Sequence, residues 1–214
     1  MAYNLEKTYD LEKLAHQTNE IHQRIVCAHQ PHEATEVMGV ILAPSTPAGP
    51  VVELGAYKGG MSAKLALACR LAGRELYVCD TFTGLPTAEK HMDIYGKEKN
   101  YTVGSYAGSM EEVKQATDGY AILVPGLFSD TLPTLMIRPA VVFMDVDLIS
   151  SAQTALRYLW PRLLPGGFWF IHEAGVQTFV EAIAPMVPYV LWGAGYGLGP
   201  HAANLAYWAK PQGA

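Results

Sequence analysis

The chain contains 214 residues, of which half are hydrophobic and 16% are charged, and its formal net charge is −5. This length suits one domain with a sizeable core. The few charges and their negative balance exclude a general basic field that would recruit nucleic acid or an anionic membrane. No apolar run reaches the roughly 18 residues of a membrane-spanning helix, and the first residues lack the apolar core of a signal peptide. We therefore expect a soluble, cytoplasmic protein with a small neutral or cationic ligand.

The N-terminal part is predicted to be helical. Leu11, Leu14, Thr18, Ile21 and Ile25 recur at spacings of three and four, which places them on one face of a helix that Pro31 should end. A second helix is expected over residues 33–42, before a stretch with three prolines and a glycine at 43–50. The predicted organisation is a helical extension over 1–49 and a core over 50–214.

One cysteine and two histidines that lie close together in the sequence resemble a set of metal ligands. Cys27, His29 and His32 are spaced by two and three residues and Pro31 interrupts them, so they do not share a helical face. Zinc is not expected there. Cys27, Cys69 and Cys79 are interpreted as reduced structural thiols.

The core alternates strand and helix patterns. Short apolar runs occupy 51–54, 76–79, 121–124, 141–144 and 168–171, and continuous apolar strands separated by helices predict a parallel sheet covered on both faces. One intervening helix contains Ala152 to Leu163, with Ser150 or Ser151 as its cap.

Runs at 187–192 and 205–208 predict two final strands. The glycine-rich stretch between them is interpreted as a turn, because Pro200 and a strand follow where a nucleotide fingerprint needs a helix. The predicted fold class is α/β: a doubly wound, mostly parallel seven-stranded sheet with an antiparallel last strand and N-terminal helices.

The most informative segment is VVELGAYKGG at residues 51–60: a strand, a glycine-rich turn and a helix beginning near Met61. The next strand ends at Asp80, whose carboxylate could accept hydrogen bonds from ribose hydroxyls. A tight turn with no ligand is the alternative. Tyr57 and Lys58 fill the position where a pyrophosphate needs close backbone approach, which favours a nucleotide-like cofactor without that group.

These blocks resemble a known family. VVELGAYKGG, VCDTFTGLP at 78–86, VPGLFSDTLP at 124–133, VFMDVDLISS at 142–151 and LWPRLLPGGFWFIHE at 159–173 are similar, in order, to class I S-adenosylmethionine-dependent methyltransferases of the macrocin O-methyltransferase type. ELGAY is also similar to the first motif of catechol O-methyltransferases. The resemblance implies the Rossmann-like methyltransferase fold and S-adenosylmethionine as cofactor.

The resemblance also implies cofactor-binding positions. Glu53, Gly55, Gly59 and Gly60 would shape the turn, with Tyr57 near the sulfonium and Ser62 near the methionine carboxylate. Asp80 would hold the ribose. The remaining expected cofactor contacts are Thr81, Phe82, Ser109 and Asp145.

A second cluster is expected at the carboxyl ends of adjacent strands, where Asp145 and Asp147 follow one strand and His172 and Glu173 the next. In the resembling families an acidic set there binds Mg²⁺. Here His172-Glu173 stands in place of the expected acidic pair. Asp145, His172 and Glu173 could still hold Mg²⁺, but the imidazole weakens such a site or shifts it toward Mn²⁺, Fe²⁺ or Zn²⁺. Alternatively, His172 titrates near neutrality and removes the acceptor proton without a metal, or the residues are structural. Asp147 suits a cap as well as a ligand.

Residues 81–109 are too long for an ordinary connection and form a lid-like insertion, with an idle solvated loop as the alternative. Ser109 is a possible cap of the helix that follows.

The predicted activity is methyl transfer to a hydroxyl of a small polar molecule, such as a sugar, a polyol or a natural product, with Asp145 and His172 as the catalytic candidates. The expected partner is that acceptor, without nucleic acid or membrane, and a homodimer is left open. The rival functions are a lyase, cyclase or hydroxylase-like reaction on the same fold, and a catalytically silent binding protein.

Overall fold

A computed structural model describes residues 9–190, 192–193 and 205–213. Two helices come first, α1 (Leu11–Arg24) and α2 (Pro31–Leu42). Pro31 does not end the first helix as predicted. The α1 helix stops at Arg24 before extended Ile25, and Pro31 instead begins α2, where its missing N–H is not needed. An irregular segment, residues 25–30, therefore separates the two helices; we call it the α1–α2 segment.

The remaining elements follow in chain order. They are β1 (Val51–Leu54), α3 (Gly60–Ala72), β2 (Leu76–Asp80), β3 (Glu89–Met92), β4 (Glu98–Tyr101), α4 (Met110–Ala116), β5 (Ile122–Pro125), α5 (Phe128–Thr131), β6 (Val141–Met144), α6 (Ile149–Leu159), β7 (Phe168–Ile171), α7 (Gln177–Ile183), β8 (Trp192–Gly193) and β9 (Ala206–Ala209).

The main sheet has seven strands in the order β5-β2-β1-β6-β7-β9-β8. The strands from β5 to β7 run parallel, and β9 pairs antiparallel with both β7 and β8. The predicted fold class is confirmed. Because β1 and β6 are central and fully buried, their carboxyl ends meet next to those of β2 and β7. That edge is where open α/β sheets bind ligands.

Two apolar clusters cover the faces of the sheet. On one face, α2 and α3 pack together, with Met38, Ile41 and Leu65 buried in the same cluster as Val51 and Phe143. On the other face, α6 and α7 cover the sheet through a separate cluster that includes Leu156 and Phe179. The helix α2 thus shares a core with the sheet, which fixes the α1–α2 segment beside the strand ends.

Two local expectations need correction, and a third falls outside the described residues. Neither Ser150 nor Ser151 is the cap of α6; Leu148 holds that position, and the carboxylate of Glu89 accepts from the N–H groups of Ile149 and Ser150, at 2.7 and 3.2 Å. The run at 187–190 is not a strand, because a 3₁₀ turn that contains Pro185 leads into it and Val190 is exposed. The glycine-rich turn at 194–204 lies outside the described residues.

The insertion at 81–109 contains an antiparallel hairpin, β3 paired with β4. Besides the Glu89 contacts, Met92 donates its N–H to Thr178 Oγ1 at 2.9 Å, and Ile94 donates to the Gly175 carbonyl at 3.2 Å. These contacts attach the hairpin to the start of α6 and to the region before and within α7. The hairpin therefore stands over the carboxyl ends of β6 and β7.

Across the described part of the chain, no helix is long and apolar enough to cross a bilayer.

Candidate functional site

A cavity of about 450 Å³ opens at the carboxyl ends of β1, β2, β6 and β7. Most of the predicted site residues line it: Gly55, Tyr57, Gly60, Asp80, Thr81, Asp145, His172 and Glu173. Asp147 lines it as well. Five predicted cofactor residues are not among the lining residues: Glu53, Gly59, Ser62, Phe82 and Ser109.

The glycine turn after β1 is shaped by close backbone contacts. Gly55 has a φ of +89°, and a Cβ there would lie 1.8 Å from the Asp145 carbonyl oxygen, so only glycine fits between the two strand ends. Gly59 caps α3 with a φ of +81°. At Gly60 a Cβ would lie 2.4 Å from the carbonyl oxygen of Val26. Gly60 therefore lets the α1–α2 segment lie directly on the turn.

Asp80 at the end of β2 holds the same turn by its carboxylate. Oδ2 accepts from the N–H of Ala56 at 2.6 Å, and Oδ1 accepts from the N–H of Phe82 at 2.7 Å. Phe82 has a φ of +57°, a strained conformation that the bond to Asp80 helps to hold. Each carboxylate oxygen can accept more than one hydrogen bond, so Asp80 keeps capacity for hydroxyl groups in the cavity.

Three of the predicted cofactor residues that do not line the cavity are buried in the fold or cap a helix. Glu53 and Ser62 are completely buried, and the Ser62 hydroxyl lies beside the Glu53 carboxyl group. Burial raises the pKa of Glu53 to about 8. Ser109 is the cap of α4, as expected, and its hydroxyl accepts from the N–H of Glu112 at 3.2 Å. Their contacts with a cofactor remain predictions.

Asp145 lies at the centre of a chain of ionisable side chains. Its Oδ2 is 2.9 Å from Nε2 of His29, and its Oδ1 is 3.5 Å from Nδ1 of His172. The other nitrogen of His172, Nε2, is 3.4 Å from Oε2 of Glu33. The order in space is His29, Asp145, His172, Glu33, so two carboxylates alternate with two imidazoles.

Sequence reasoning missed His29 and Glu33. The sequence indicates His29 only as a possible zinc ligand, and the exclusion of zinc assumes a helical geometry that the α1–α2 segment does not have. Glu33 sits at the start of α2 with 3% exposure. The local signal in the sequence is a glutamate three residues after the N-cap Gln30, but its partner His172 is distant in the chain.

Charge pairing sets the protonation states of these four side chains. Burial alone would lower the pKa of His172, but Asp145 and then Glu33 raise it to about 11. Burial likewise opposes the charged form of His29, and Asp145 raises its pKa to about 9. Burial would raise the pKa of Asp145, yet His172 and His29 hold it well below its usual range. The expected titration of His172 near neutrality is therefore not met, because carboxylates flank both of its nitrogens.

A second group of carboxylates adjoins the first at Asp145. Oε1 of Glu173 accepts from the N–H groups of Val146 and Asp147, at 2.7 and 2.9 Å, and so fixes the loop after β6. Its Oε2 is buried and has no hydrogen-bond partner among the described residues. Burial and the charge of Asp145 raise the pKa of Glu173 to about 8 and that of Asp147 to about 7.

Two sets of side chains in the described residues are close enough to share a metal ion, and Asp145 belongs to both. One set is Asp145, Asp147 and Glu173; the other is His29, Asp145 and His172. The predicted trio of Asp145, His172 and Glu173 is thus divided between them. The carboxylate set offers the oxygen ligands that Mg²⁺ and Mn²⁺ prefer. In the histidine set, two imidazoles with raised pKa values already neutralise Asp145.

The hairpin and the α1–α2 segment form the outer walls. Lys99, Asn100 and Tyr101 of β4 line the cavity, as do Tyr57 and Tyr106, whose rings meet edge to face with centroids 6.0 Å apart. The Lys58 ammonium lies 5.8 Å from the centroid of the Tyr57 ring.

The α1–α2 segment is held on α3 by a buried lysine. Lys64 is fully buried and its Nζ donates to Cys27 Sγ at 3.3 Å, with His22 Nδ1 at 3.2 Å. Because a buried ammonium needs partners, these contacts tie the segment to α3 next to the glycine turn.

Comparisons with known proteins agree with this architecture. A family model described as macrocin-O-methyltransferase (TylF) matches residues 16–186. The 8-demethyl-8-(2,3-dimethoxy-alpha-L-rhamnosyl)-tetracenomycin-C 4'-O-methyltransferase of Streptomyces olivaceus is 34% identical over 155 residues, which cover 67% of this chain and 59% of that protein. The mycinamicin III 3''-O-methyltransferase of Micromonospora griseorubida is 31% identical over 149 residues, 63% of this chain and 59% of that protein. The chain thus matches about three fifths of the length of each relative.

Solved structures support the fold. The O-methyltransferase NovP superposes with a TM-score of 0.58 at 23% identity, over 91% of this chain and 79% of its own. The calicheamicin methyltransferase CalS11 gives a TM-score of 0.61 at 15% identity, over 98% of this chain and 97% of its own. Because the family model matches most of the sequence, the chain belongs to the macrocin-O-methyltransferase family.

Proposed function

We propose that this protein transfers the methyl group of S-adenosylmethionine to a hydroxyl of a sugar or another small polar unit of a natural product. One observation carries the proposal: Asp80 at the end of β2 and Asp145 at the end of β6 line the same cavity, on either side of β1. Family membership supports it, and so do the activities of the two relatives, one named for a rhamnosyl-tetracenomycin C and the other for mycinamicin III.

The cavity residues fit the cofactor. Asp80 offers carboxylate oxygens to the ribose hydroxyls, and the turn from Gly55 to Tyr57 offers backbone beside α3 for the methionine part. Leu127 and Phe128, which follow β5, supply apolar surface for the adenine. When bound, S-adenosylmethionine supplies an electrophilic methyl group on a sulfonium. The rings of Tyr57 and Tyr106 can favour that positive charge by roughly 0.5 to 2 kcal/mol.

The carboxylate set fits a divalent cation. Asp145, Asp147 and Glu173 place three oxygen donors within reach of one ion, and the buried Oε2 of Glu173 has no hydrogen-bond partner among the described residues. The raised pKa values of Asp147 and Glu173 reflect burial and repulsion from Asp145, which a cation would relieve. We propose Mg²⁺ or Mn²⁺ held by these three residues. A divalent ion held there would supply Lewis-acid chemistry that lowers the pKa of an acceptor hydroxyl.

The residues of the chain orient the reaction. In-line transfer needs the acceptor oxygen about 3 Å from the methyl carbon and relieved of its proton. The side chains around Asp145 face the cavity from one side, and the glycine turn faces it from the other. An acceptor that binds between them therefore lies near the methyl group of the cofactor. The insertion covers this space with Lys99, Asn100 and Tyr101, which supports a role for it as a lid that excludes water.

A metal-free version of the same activity would use Asp147 as the base. It lines the cavity, and its pKa of about 7 suits proton removal near neutral pH. His172 suits this role less, because both of its nitrogens face carboxylates and it is protonated at neutral pH. Sensitivity to chelators separates the two versions.

The proposal is tested by incubating the protein with S-adenosylmethionine and a panel of rhamnosides and analysing the products by mass spectrometry. Methyl transfer adds one methylene mass to the acceptor and leaves S-adenosylhomocysteine. A lyase, cyclase or hydroxylase-like reaction gives a different mass, and a silent binding protein gives cofactor binding without product. Either of those results would replace the proposal.

A further inference from the structure

We propose that Glu33 and His29, which lie before the sheet in the chain, are positioning residues: they hold His172 and Asp145 in the orientation the active site needs. The inference rests on the proposed function, and it extends the active site into residues that precede the methyltransferase core.

Glu33 is placed to orient His172. Its side chain has 4% exposure, and a buried carboxylate is costly unless it is paired. Oε2 accepts from the N–H of Gln30 at 2.7 Å and lies 3.4 Å from Nε2 of His172. The bond to Gln30 fixes the carboxylate at the start of α2. The imidazole of His172 is therefore held at one end by a rigid helix terminus and at the other by Asp145.

His29 is placed to orient Asp145 itself. Its ring has 5% exposure, with Nε2 at 2.9 Å from Asp145 Oδ2 and Nδ1 at 3.6 Å from Cys27 Sγ. The ring also packs edge to face on His172 and Phe143, with centroid separations of 4.4 and 5.1 Å. With a carboxylate beside Nε2, a thiol beside Nδ1 and rings on two sides, His29 has little freedom to rotate.

These contacts determine how Asp145 is presented to the cavity. Each of its two oxygens faces one imidazole, so the plane of the carboxylate follows from the positions of His29 and His172. Both imidazoles are in turn anchored by the α1–α2 segment and α2. That region is fixed on the glycine turn through the close contact of Gly60 with Val26. The orientation of Asp145 thus depends on the α1–α2 segment and on the start of α2.

The substitution Glu33→Gln tests this arrangement. Glutamine is also a good capping-box residue, so it can still accept from the Gln30 N–H while it loses the charge that faces His172. A matched control is Glu112→Gln, which alters the equivalent acid of the capping box on α4. His29→Phe keeps a ring against Phe143 and removes the contact with Asp145. This variant replaces Glu33→Gln in the test if Glu33→Gln does not fold.

Two readouts are measured on the protein loaded with Mg²⁺ and S-adenosylhomocysteine or S-adenosylmethionine. The first is the NMR signal of the slowly exchanging imidazole N–H protons of His172 and His29. The second is kcat and KM for methyl transfer to methyl α-L-rhamnopyranoside, with calorimetric affinity for S-adenosylhomocysteine alongside. We expect Glu33→Gln to lose the His172 signal and to lower kcat by about 10- to 100-fold, as loss of a supporting partner does. Cofactor affinity should stay unchanged, and Glu112→Gln should resemble wild type.

Persistence of the His172 signal in Glu33→Gln, or an unchanged kcat in an active wild-type background, would overturn the inference. If wild-type protein does not methylate the rhamnoside, the proposed acceptor is wrong, and the NMR signal alone decides whether Glu33 holds His172. Failure of the proposed function and failure of this inference are therefore distinguishable.

Discussion

Oδ2 of Asp145, at the end of β6, lies 2.9 Å from Nε2 of His29, in the α1–α2 segment. The contact makes the N-terminal region part of the site wall. It also explains why His29 carries a raised pKa and Asp145 a lowered one, since each stabilises the charged form of the other.

The pairing predicts how thermal stability depends on pH. The pKa values of His29 and His172 rise from 6.5 in the unfolded chain to about 9 and about 11 in the fold. Their stabilising contribution is therefore complete below pH 6.5 and is lost as the pH rises through these folded values. In the presence of chelator, Tm should fall between pH 7 and 10, and His172→Gln should flatten that fall. A Tm that rises over this range would contradict the assigned pairs.

Asp80 should be required for cofactor affinity. Asp80→Ala removes hydrogen bonds to a charged group and should weaken binding of S-adenosylhomocysteine by about 1.5 to 3 kcal/mol, measured by calorimetry. Because Asp80 also holds the turn through Ala56 and Phe82, Asp80→Asn should lose less. The control is Asp118→Ala, whose carboxylate is 90% exposed. Unchanged affinity in a folded Asp80→Ala protein would remove Asp80 from the cofactor site.

Glu173 should be required for metal binding. Removing one of three oxygen ligands by Glu173→Gln should weaken Mn²⁺ binding at least about tenfold. In wild type, Mn²⁺ at a hundred times its Kd should stabilise the fold by about 2.7 kcal/mol, and chelation should reverse this. Glu181→Gln on the exposed side of α7 is the matched control. Full activity in chelator would favour Asp147 as a base without metal.

The insertion should respond to ligands. We predict that trypsin cuts residues 81–109, for example after the exposed Lys90, more slowly when S-adenosylhomocysteine and acceptor are both present. Glu89→Gln should speed the cutting, because it weakens the contact with the first N–H groups of α6. Equal cutting rates with and without both ligands would leave the insertion as a fixed wall rather than a lid.

The buried strands were predictable from sequence. The runs at 51–54, 141–144 and 168–171 coincide with β1, β6 and β7, because a strand buried on both faces must be continuously apolar. The hairpin of β3 and β4 was not predicted. Its sequences, EKHM and EKNY, are largely polar and show no apolar alternation, and their pairing depends on contacts with α6 and α7.

The site was predictable only where side chains follow strand ends. Asp80, Asp145 and Glu173 line the cavity as expected, because parallel strands end at one edge. His29 and Glu33 come from a region that the sequence shows only as helical, and nothing local indicates which strand end it will contact. The raised pKa of His172 depends first on Asp145, which the sequence places nearby, and then on Glu33, whose contribution could not be inferred from the sequence.

The most direct measurement is transfer of a ¹³C-labelled methyl group from S-adenosylmethionine to a rhamnoside, followed by NMR of the product, for wild type and Asp145→Asn in parallel. Wild type should give one new O-methyl resonance on a sugar carbon, with S-adenosylhomocysteine formed in equal amount. Asp145→Asn should lose the transfer while still binding S-adenosylhomocysteine. Label appearing on carbon or nitrogen, label remaining on the cofactor with every rhamnoside, or full transfer by Asp145→Asn would contradict O-methylation at this cluster.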